Sequence, residues 1–346
     1  MNIPPPQAGT LMHLVDRRPE MSGEDLAANL TPPPQFATAS FDSYRPDDAY
    51  PSQTAAVDYL RMFSAGPAPV KTKWFARKPK TDAVKPGVYL DGGFGVGKTH
   101  LLAALWHAEG GSRKYFGTFI EYTALVGALG FNGTVKLLTG STLICIDEFE
   151  LDDPGDTMMM TRLLTELAAQ GTRIAATSNT PPNALGEGRF AAQDFLREIH
   201  SLASTFETLR IDGTDYRRRT IEGHCRTASD TEITRAMESA AASGTRMSVD
   251  DFTELVEHLA AVHPSRFIRL LDDVEAIAIT DTVTLESQAA ALRLVAFIDR
   301  VYDAQIPIIA SGIPLDTVFT EEMLTGGFRK KYLRAMSRMI SLTSEL

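Results

Sequence analysis

Four glycines, Gly92, Gly93, Gly95 and Gly97, fall within six residues of the stretch "YLDGGFGVGKTHLLAAL" and run directly into Lys98 and Thr99. Backbone without side chains can turn successive N–H groups toward one anion, and a helix that starts at the same point adds the positive end of its dipole. Gly92, Gly97, Lys98 and Thr99 stand at the spacing of the phosphate-cradling loop GxxxxGK[ST]. On that reading Gly92, Gly93, Phe94, Gly95, Val96, Gly97, Lys98, Thr99 and His100 line the phosphates of a nucleotide. Lys98 is expected to reach the β and γ phosphates, and the Thr99 hydroxyl to hold Mg²⁺. A glycine-rich connection without chemistry is the plainer alternative. The flanks disfavour it, because Val88 to Leu90 read as a buried strand and Leu101, Leu102, Leu105 and Trp106 recur at helical spacing.

A second stretch, "STLICIDEFE", carries paired acids. Leu143 to Ile146 are all apolar, as in a strand buried on both faces, and Asp147 and Glu148 follow at its carboxyl end, where ligands of parallel sheets bind. Such a pair could merely cap a helix, as Asp152 and Asp153 nearby could. With Lys98 49 residues upstream, the pair reads instead as Walker B. Asp147 is then expected to bind Mg²⁺ through water, and Glu148 to orient or deprotonate the attacking water. Further on, "RIAATSNTPP" ends a strand in Thr177, Ser178 and Asn179. Asn179 is expected to bond the γ-phosphate or the attacking water; otherwise Ser178 and Asn179 open a turn before Pro181 and Pro182.

The elements that must position these residues alternate between strand and helix. Strands are expected at 88–91, 118–122, 142–147, 173–177 and 205–211, and a short amphipathic helix between Asp47 and Phe63 precedes them. The fold class that follows is α/β: a P-loop parallel sheet with helices on both faces. Met160, Leu163, Leu164 and Leu167 fall at i, i+3, i+4 and i+7, so the "MMM" at 158–160 reads as core filling. Residues 1–40, with two triple-proline runs, read as a loosely ordered lead-in. Residues 41–228 form the expected P-loop core, and residues 229–346 a carboxyl-terminal α/β region. Within the latter, "AIAITDTVTLESQAAALRLVAFIDRVYDAQIPIIASGIPLD" repeats the outline strand, acid, helix, strand: Asp281 precedes Ser311 by 30 residues, as Asp147 precedes Ser178 by 31. No glycine loop with lysine stands before it, so it offers no second phosphate cradle.

Length and composition set the frame. A chain of 346 residues, 44% apolar and 23% charged, has room for two globular domains and is neither fibrous nor disordered. Cys145 and Cys225 form no CxxC, which suits buried thiols in a reducing cytosol. No run is apolar enough for a membrane span, and the amino end lacks a secretory pattern, so a cytoplasmic location is expected. Charge is uneven: residues 229–325 carry 17 Asp and Glu against 6 Arg and no Lys, within a chain whose net charge is −10. Against this acidic body stands "KTKWFARKPKTDAVK", residues 71–85, with six basic residues around Trp74 and Phe75. It reads either as a solvated basic loop or as a contact strip for anionic membrane lipid or nucleic acid.

"GVYLDGGFGVGKTHLL", "LICIDEFELDD", "IAATSNTPPNAL" and "LRIDGTDYRRR" together resemble the ZapE cell-division ATPases of bacteria and their mitochondrial relatives, an AAA+-like group, from about Asp47 to the end of the chain. The resemblance implies ATP and Mg²⁺ as ligands, hydrolysis coupled to remodelling of a protein client such as a division-ring component, and a place at the inner membrane or division site. It also implies a homo-oligomer in which an arginine from a neighbour completes the site. The family's arginine precedes an "FLP" triplet. Here the stretch is "GRFAAQDFLREI", so Arg189 is the first candidate, then Arg197 and Arg218. The segment between the first helix and Walker B is shorter than the family pattern. Two other readings stay open, a helicase-loader-type adaptor and a nucleotide-gated scaffold with little turnover. The acidic balance argues against a nucleic-acid partner, and Glu148 against the scaffold.

Overall fold

The computed structural model describes residues 11–66, 85–93, 95–149, 154–180, 204, 206–214 and 223–343. The chain divides into two compact units, Ser22–Tyr216 on one hand and Met1–Met21 with Arg217–Leu346 on the other. Among the described residues no helix is long and apolar enough to cross a membrane.

The first unit is built on five parallel strands, β1 (Gly87–Gly92), β2 (Lys114–Thr118), β3 (Leu143–Asp147), β4 (Arg173–Ser178) and β5 (Phe206–Ile211), in the order β2-β3-β4-β1-β5. All six residues of β1 and all five of β3 are buried, as continuous apolar runs require in a sheet covered on both faces. Helix α1 (Gly23–Ala28) is capped by Ser22. Helix α2 (Pro51–Ser64) starts on Pro51, whose fixed φ suits a first helical position. Helix α3 (Lys98–Ala108) follows the glycine loop. Val88, Leu90, Leu143, Cys145 and Ala175 pack with Leu60, Phe63, Leu101, Leu102 and Leu105 in one core cluster. Alternation sends Tyr89, Ile144 and Ile146 to the opposite face. There α4 (Phe119–Leu138) and α5 (Pro154–Ala169) pack on each other, and Phe149 meets the rings of Tyr89 and Phe119.

One expected strand lies elsewhere. Residues 118–122 open α4, and β2 ends at Thr118. Aromatic and β-branched residues in "TFIEYT" favour a strand by composition. A reciprocal cap overrides that preference: Thr118 Oγ1 accepts the Glu121 N–H at 3.4 Å, and Glu121 Oε2 accepts the Thr118 N–H at 2.6 Å. Of the three consecutive methionines only Met160 is core, together with Leu163, Leu164 and Leu167, whereas Met158 is 46% exposed.

Residues 11–40 are not a loose lead-in. Met12 bridges to Ser248, Leu14 is fully buried, and Arg17 donates to the carbonyls of Leu270 and Asp272, so 11–21 belong to the acidic body. Leu30 is buried in the other unit, where its carbonyl accepts the Phe116 N–H at 2.9 Å. The division between units also falls before residue 228. Cys225 is part of the second core and Ala228 N–H donates to Ala310 O at 2.7 Å, which ties this stretch to the acidic body. Of the basic stretch 71–85, only Lys85 is among the described residues; its ammonium donates to Phe206 O at 2.8 Å.

The second unit is α/β as expected, with parallel strands β6 (Met247–Asp251), β7 (Ala276–Thr282) and β8 (Ile308–Gly312) in sequential order. Its helices include α6 (Asp230–Ser243), α7 (Phe252–Ala261), α8 (Gln288–Asp303) and α9 (Arg329–Thr343). Asp299 of α8 is buried between two arginines of α9: Arg334 donates to Oδ2 at 2.6 Å and Arg338 to Oδ1. Burial alone pushes this carboxyl up, but Arg334 and Arg338 outweigh it and hold its pKa down at about 2. A depressed carboxylate pKa stabilises the fold at all pH above the unfolded value, and that contribution is lost as pH falls toward 2. Protection factors of the β7 amides, with exchange rates corrected for their intrinsic pH dependence, should therefore fall steeply on acidification below pH 4. In Asp299→Asn, β7 should exchange faster already at pH 7, with a flatter acid response.

Candidate active site

β4 lies between the glycine-loop strand β1 and the acid-bearing strand β3, with Asp91 in register with Ser178 and Ile146 with Ala176. Its carboxyl end is therefore flanked by the loop on one side and by Asp147 and Glu148 on the other. Gly95 and Gly97 have φ of 66° and 84°, a left-handed backbone that costs glycine little. Gly97 caps α3, so the N–H groups of Gly97, Lys98, Thr99 and His100 have no partner within the helix. They converge where an anion is favoured by the helix dipole.

Lys98 is 9% exposed, and its ammonium donates to Gly92 O at 3.0 Å, Gly93 O at 2.6 Å and Asn179 Oδ1 at 2.9 Å. One residue on, the Thr99 hydroxyl lies 3.2 and 3.0 Å from the two oxygens of Asp147. Asp147 also accepts from Thr177 Oγ1 at 2.5 Å. Burial first, then the Glu148 charge, push the Asp147 carboxyl up, while the Thr177 and Thr99 hydroxyls and Lys98 pull it the other way. Glu148 follows with φ of 54°. The geometry thus brings Lys98, Thr99, Asp147, Glu148 and Asn179 together. Phe94, Arg189, Arg197 and Arg218 lie outside the described residues.

Three features escape sequence reasoning. The His100 ring is not turned to the loop: Nε2 lies 3.0 Å from Ser40 O and 3.0 Å from Ser43 Oγ, so His100 offers a nucleotide its backbone N–H only. Tyr44 donates to Val96 O at 2.8 Å and lies against Gly97. These are contacts over some 50 residues of chain, for which no local pattern exists. The third is Thr177, which reads as a strand residue and turns out to bond the Walker B acids. The echo in the second unit also has a different register: Asp281, φ 55°, has its N–H on Ser311 Oγ at 3.2 Å, as Glu148 has its N–H on Thr177 Oγ1 at 3.0 Å. Glu148 and Thr177, not Asp147 and Ser178, are the counterparts of Asp281 and Ser311.

A family model described as AFG1-like ATPase matches residues 21–240 and 221–346. The chain belongs to the AFG1-like ATPase family. As a member it is a nucleotide-binding P-loop ATPase, in keeping with the motifs and with the resemblance to ZapE proteins. This AFG1-like ATPase is 25% identical to cell division protein ZapE of Escherichia coli (strain K12), over 92% of this chain and 97% of that one. Among solved structures, DnaI is 20% identical with a TM-score of 0.40, covering 53% of this chain and 93% of its own. AMPPCP-bound DnaA from Aquifex aeolicus is 14% identical with a TM-score of 0.40, covering 91% and 90%.

The loop geometry makes its glycines unequal. A Cβ on Gly97 would stand 2.5 Å from Tyr44 Cε2 on a left-handed backbone, whereas one on Gly93 meets no atom of the described residues within 4 Å. Gly97→Ala should lower stability by about 1–2 kcal/mol from the backbone alone, measured by urea denaturation followed at Trp106, and should abolish ADP binding in calorimetry. Gly93→Ala should unfold like the wild type.

Proposed function

We propose that this ATPase is a Mg²⁺-dependent ATP hydrolase whose turnover remodels a protein partner. The observation that carries the first half is that adjacent residues of one helix turn, Lys98 and Thr99, reach the ends of β4 and β3 respectively. A γ-phosphate placed at the start of α3 would lie beside Lys98, Asn179 and Glu148 at once. Lys98 would exchange Gly92 O, Gly93 O and Asn179 Oδ1 for β and γ phosphate oxygens. Glu148 would take a proton from, or orient, the attacking water, and Asn179 would fix the position of that water or of the γ-phosphate. The Thr99 hydroxyl and Asp147 carboxylate, 3.0 Å apart at their nearest, are hard oxygen donors of the kind Mg²⁺ takes. When bound, Mg²⁺ neutralises charge developing on the phosphates.

The client, the assembly and the place of action rest on the family and on the ZapE relative. We assign the client to the cell-division machinery, after the name of that relative, and the place of action to the division site or inner membrane, as the family resemblance implies. An arginine from a neighbouring subunit, Arg189 before Arg197 and Arg218, completes the charge neutralisation; such a residue is worth roughly 10³ to 10⁵ in rate where it has been studied.

Lys98→Ala should lose ATP binding, while Glu148→Gln should bind one ATP per chain with Mg²⁺ and turn it over at least about 100-fold more slowly, both read by calorimetry and phosphate release. Wild-type ATP affinity in Lys98→Ala would remove the assignment. Crosslinking Glu148→Gln in its native cell should enrich the client over Lys98→Ala, and equal recovery by both would count against nucleotide-dependent remodelling.

A further inference from the structure

We propose that Thr177 is a positioning residue for hydrolysis, acting through the backbone of Glu148. The inference rests on the role given to Glu148 above and adds how that carboxylate is held in place.

The β3–β4 ladder is regular up to Ile146, which pairs with Ala176. It resumes where Phe149 N–H donates to Thr177 O at 2.7 Å. In the register of this ladder Thr177 O would accept from the Glu148 N–H; Phe149 takes its place, so β3 carries one residue more than β4 here. The main chain of β3 must swing out, and it does so by placing Glu148 in the left-handed region with φ of 54°, which residues other than glycine rarely enter. The same excursion leaves the Glu148 N–H without a main-chain acceptor on β4. Thr177 Oγ1 takes it at 3.0 Å and passes its own hydrogen to Asp147 Oδ1 at 2.5 Å. A hydroxyl has one hydrogen, and a carboxylate only accepts, so both directions are determined. Thr177 is 2% exposed.

One buried hydroxyl thus satisfies the two consecutive acids, a carboxylate on the first and an amide on the second. Taking it away removes the acceptor that Thr177 gives the Glu148 amide, and the segment relieves this by leaving the left-handed region. That rotation moves the Glu148 carboxylate, while the glycine loop, Lys98 and the start of α3 stay as they were. The second unit shows the same coupling of a hydroxyl to a left-handed acid, which supports the structural half of the reading. Asp281 has φ of 55° at the end of β7, and its N–H is held by Ser311 Oγ of the neighbouring strand at 3.2 Å. The hydroxyl bond and the left-handed acid occur together twice, on different residues, in two separate sheets.

The test uses the full-length chain and four variants: Thr177→Val, which keeps the shape and removes the hydroxyl, Thr177→Ser, which restores it, Glu148→Gln, and Thr177→Val combined with Glu148→Gln. A positioned base contributes roughly 10² to 10⁴ in rate, so misplacing it in Thr177→Val should lower kcat at least about 10-fold. The Kd for ADP should stay within about 3-fold, since the cradle is untouched. Thr177→Ser should recover kcat to within about 3-fold of wild type. The double variant should be no slower than Glu148→Gln alone, because two changes acting through one group are not additive. Should Thr177→Val fail to fold, Thr177→Ala is held to the same criteria. Full kcat in the hydroxyl-free variant while Glu148→Gln is inactive overturns the inference and leaves the role of Glu148 standing. A double variant slower than Glu148→Gln by the full single effect, or an ADP affinity falling in step with kcat, also overturns it. Full turnover in Glu148→Gln removes the role of Glu148 and this inference with it.

Discussion

A carboxylate taken out of water must be held by donors or it does not stay ionised, and the first unit is arranged around one such group. Asp147 is 7% exposed at the end of β3, and the hydroxyls that hold it come from two other elements, Thr99 on α3 and Thr177 on β4. The Thr99 bond is short-range and directional, so it locates the start of α3 against the sheet more tightly than apolar packing does, while the Thr177 bond fixes the carboxylate between two neighbouring strands. Because Gly97 caps α3, locating its first turn also locates the glycine loop. The strand order makes this possible: with β4 inserted between β1 and β3, one strand end can reach the loop through Asn179 and the acids through Thr177.

The loop is held from outside as well. A carbonyl only accepts, so the His100 and His107 rings, which reach Ser40 O and Phe36 O at 3.0 Å each, carry their proton on Nε2. Seven residues apart, the two histidines share a face of α3 and fasten residues 36–40 along it. Tyr44 continues the same contact onto Val96 and Gly97. Burial pushes its phenol up to about 12, so it stays a donor to Val96 O across the physiological range. Rigidity in a phosphate cradle is useful because N–H groups already aimed at the anion need not be reorganised when it arrives.

How much of this can be read from residues alone depends on distance along the chain. The loop, the Walker B acids and four of the five strands of the first sheet are local patterns, and the structure places those strands within two residues of expectation. The strand expected at 118–122 fails because composition favours β while a reciprocal cap between Thr118 and Glu121 decides for helix. Residues 11–21 fail for another reason: their partners, such as Ser248 and Leu270, lie more than 230 residues away, and short polar segments with prolines look alike whether or not a distant edge awaits them. Thr177 was visible as a strand residue, but whether a threonine at a strand end faces solvent or a carboxylate depends on which strand is its neighbour, and strand order is not a local property.

The two units separate fold from chemistry. Each has parallel strands, a left-handed acid at a strand end, and a hydroxyl from the next strand under that acid's amide. A parallel strand that ends in a left-handed residue leaves an amide to satisfy, and a serine or threonine one strand over is the smallest side chain that does so. The geometry is therefore available to any such sheet and says nothing of a reaction. What the first unit adds is a set of residues that the second lacks: the glycines that open a cradle, and Lys98 and Thr99 at the mouth of a helix aimed at the same acids. Before β7 the chain has "HPSRFIRLL" in place of a glycine loop, and a carboxylate with no anion to work on is only a carboxylate. The acid acquires a function from what stands opposite it across the strand ends.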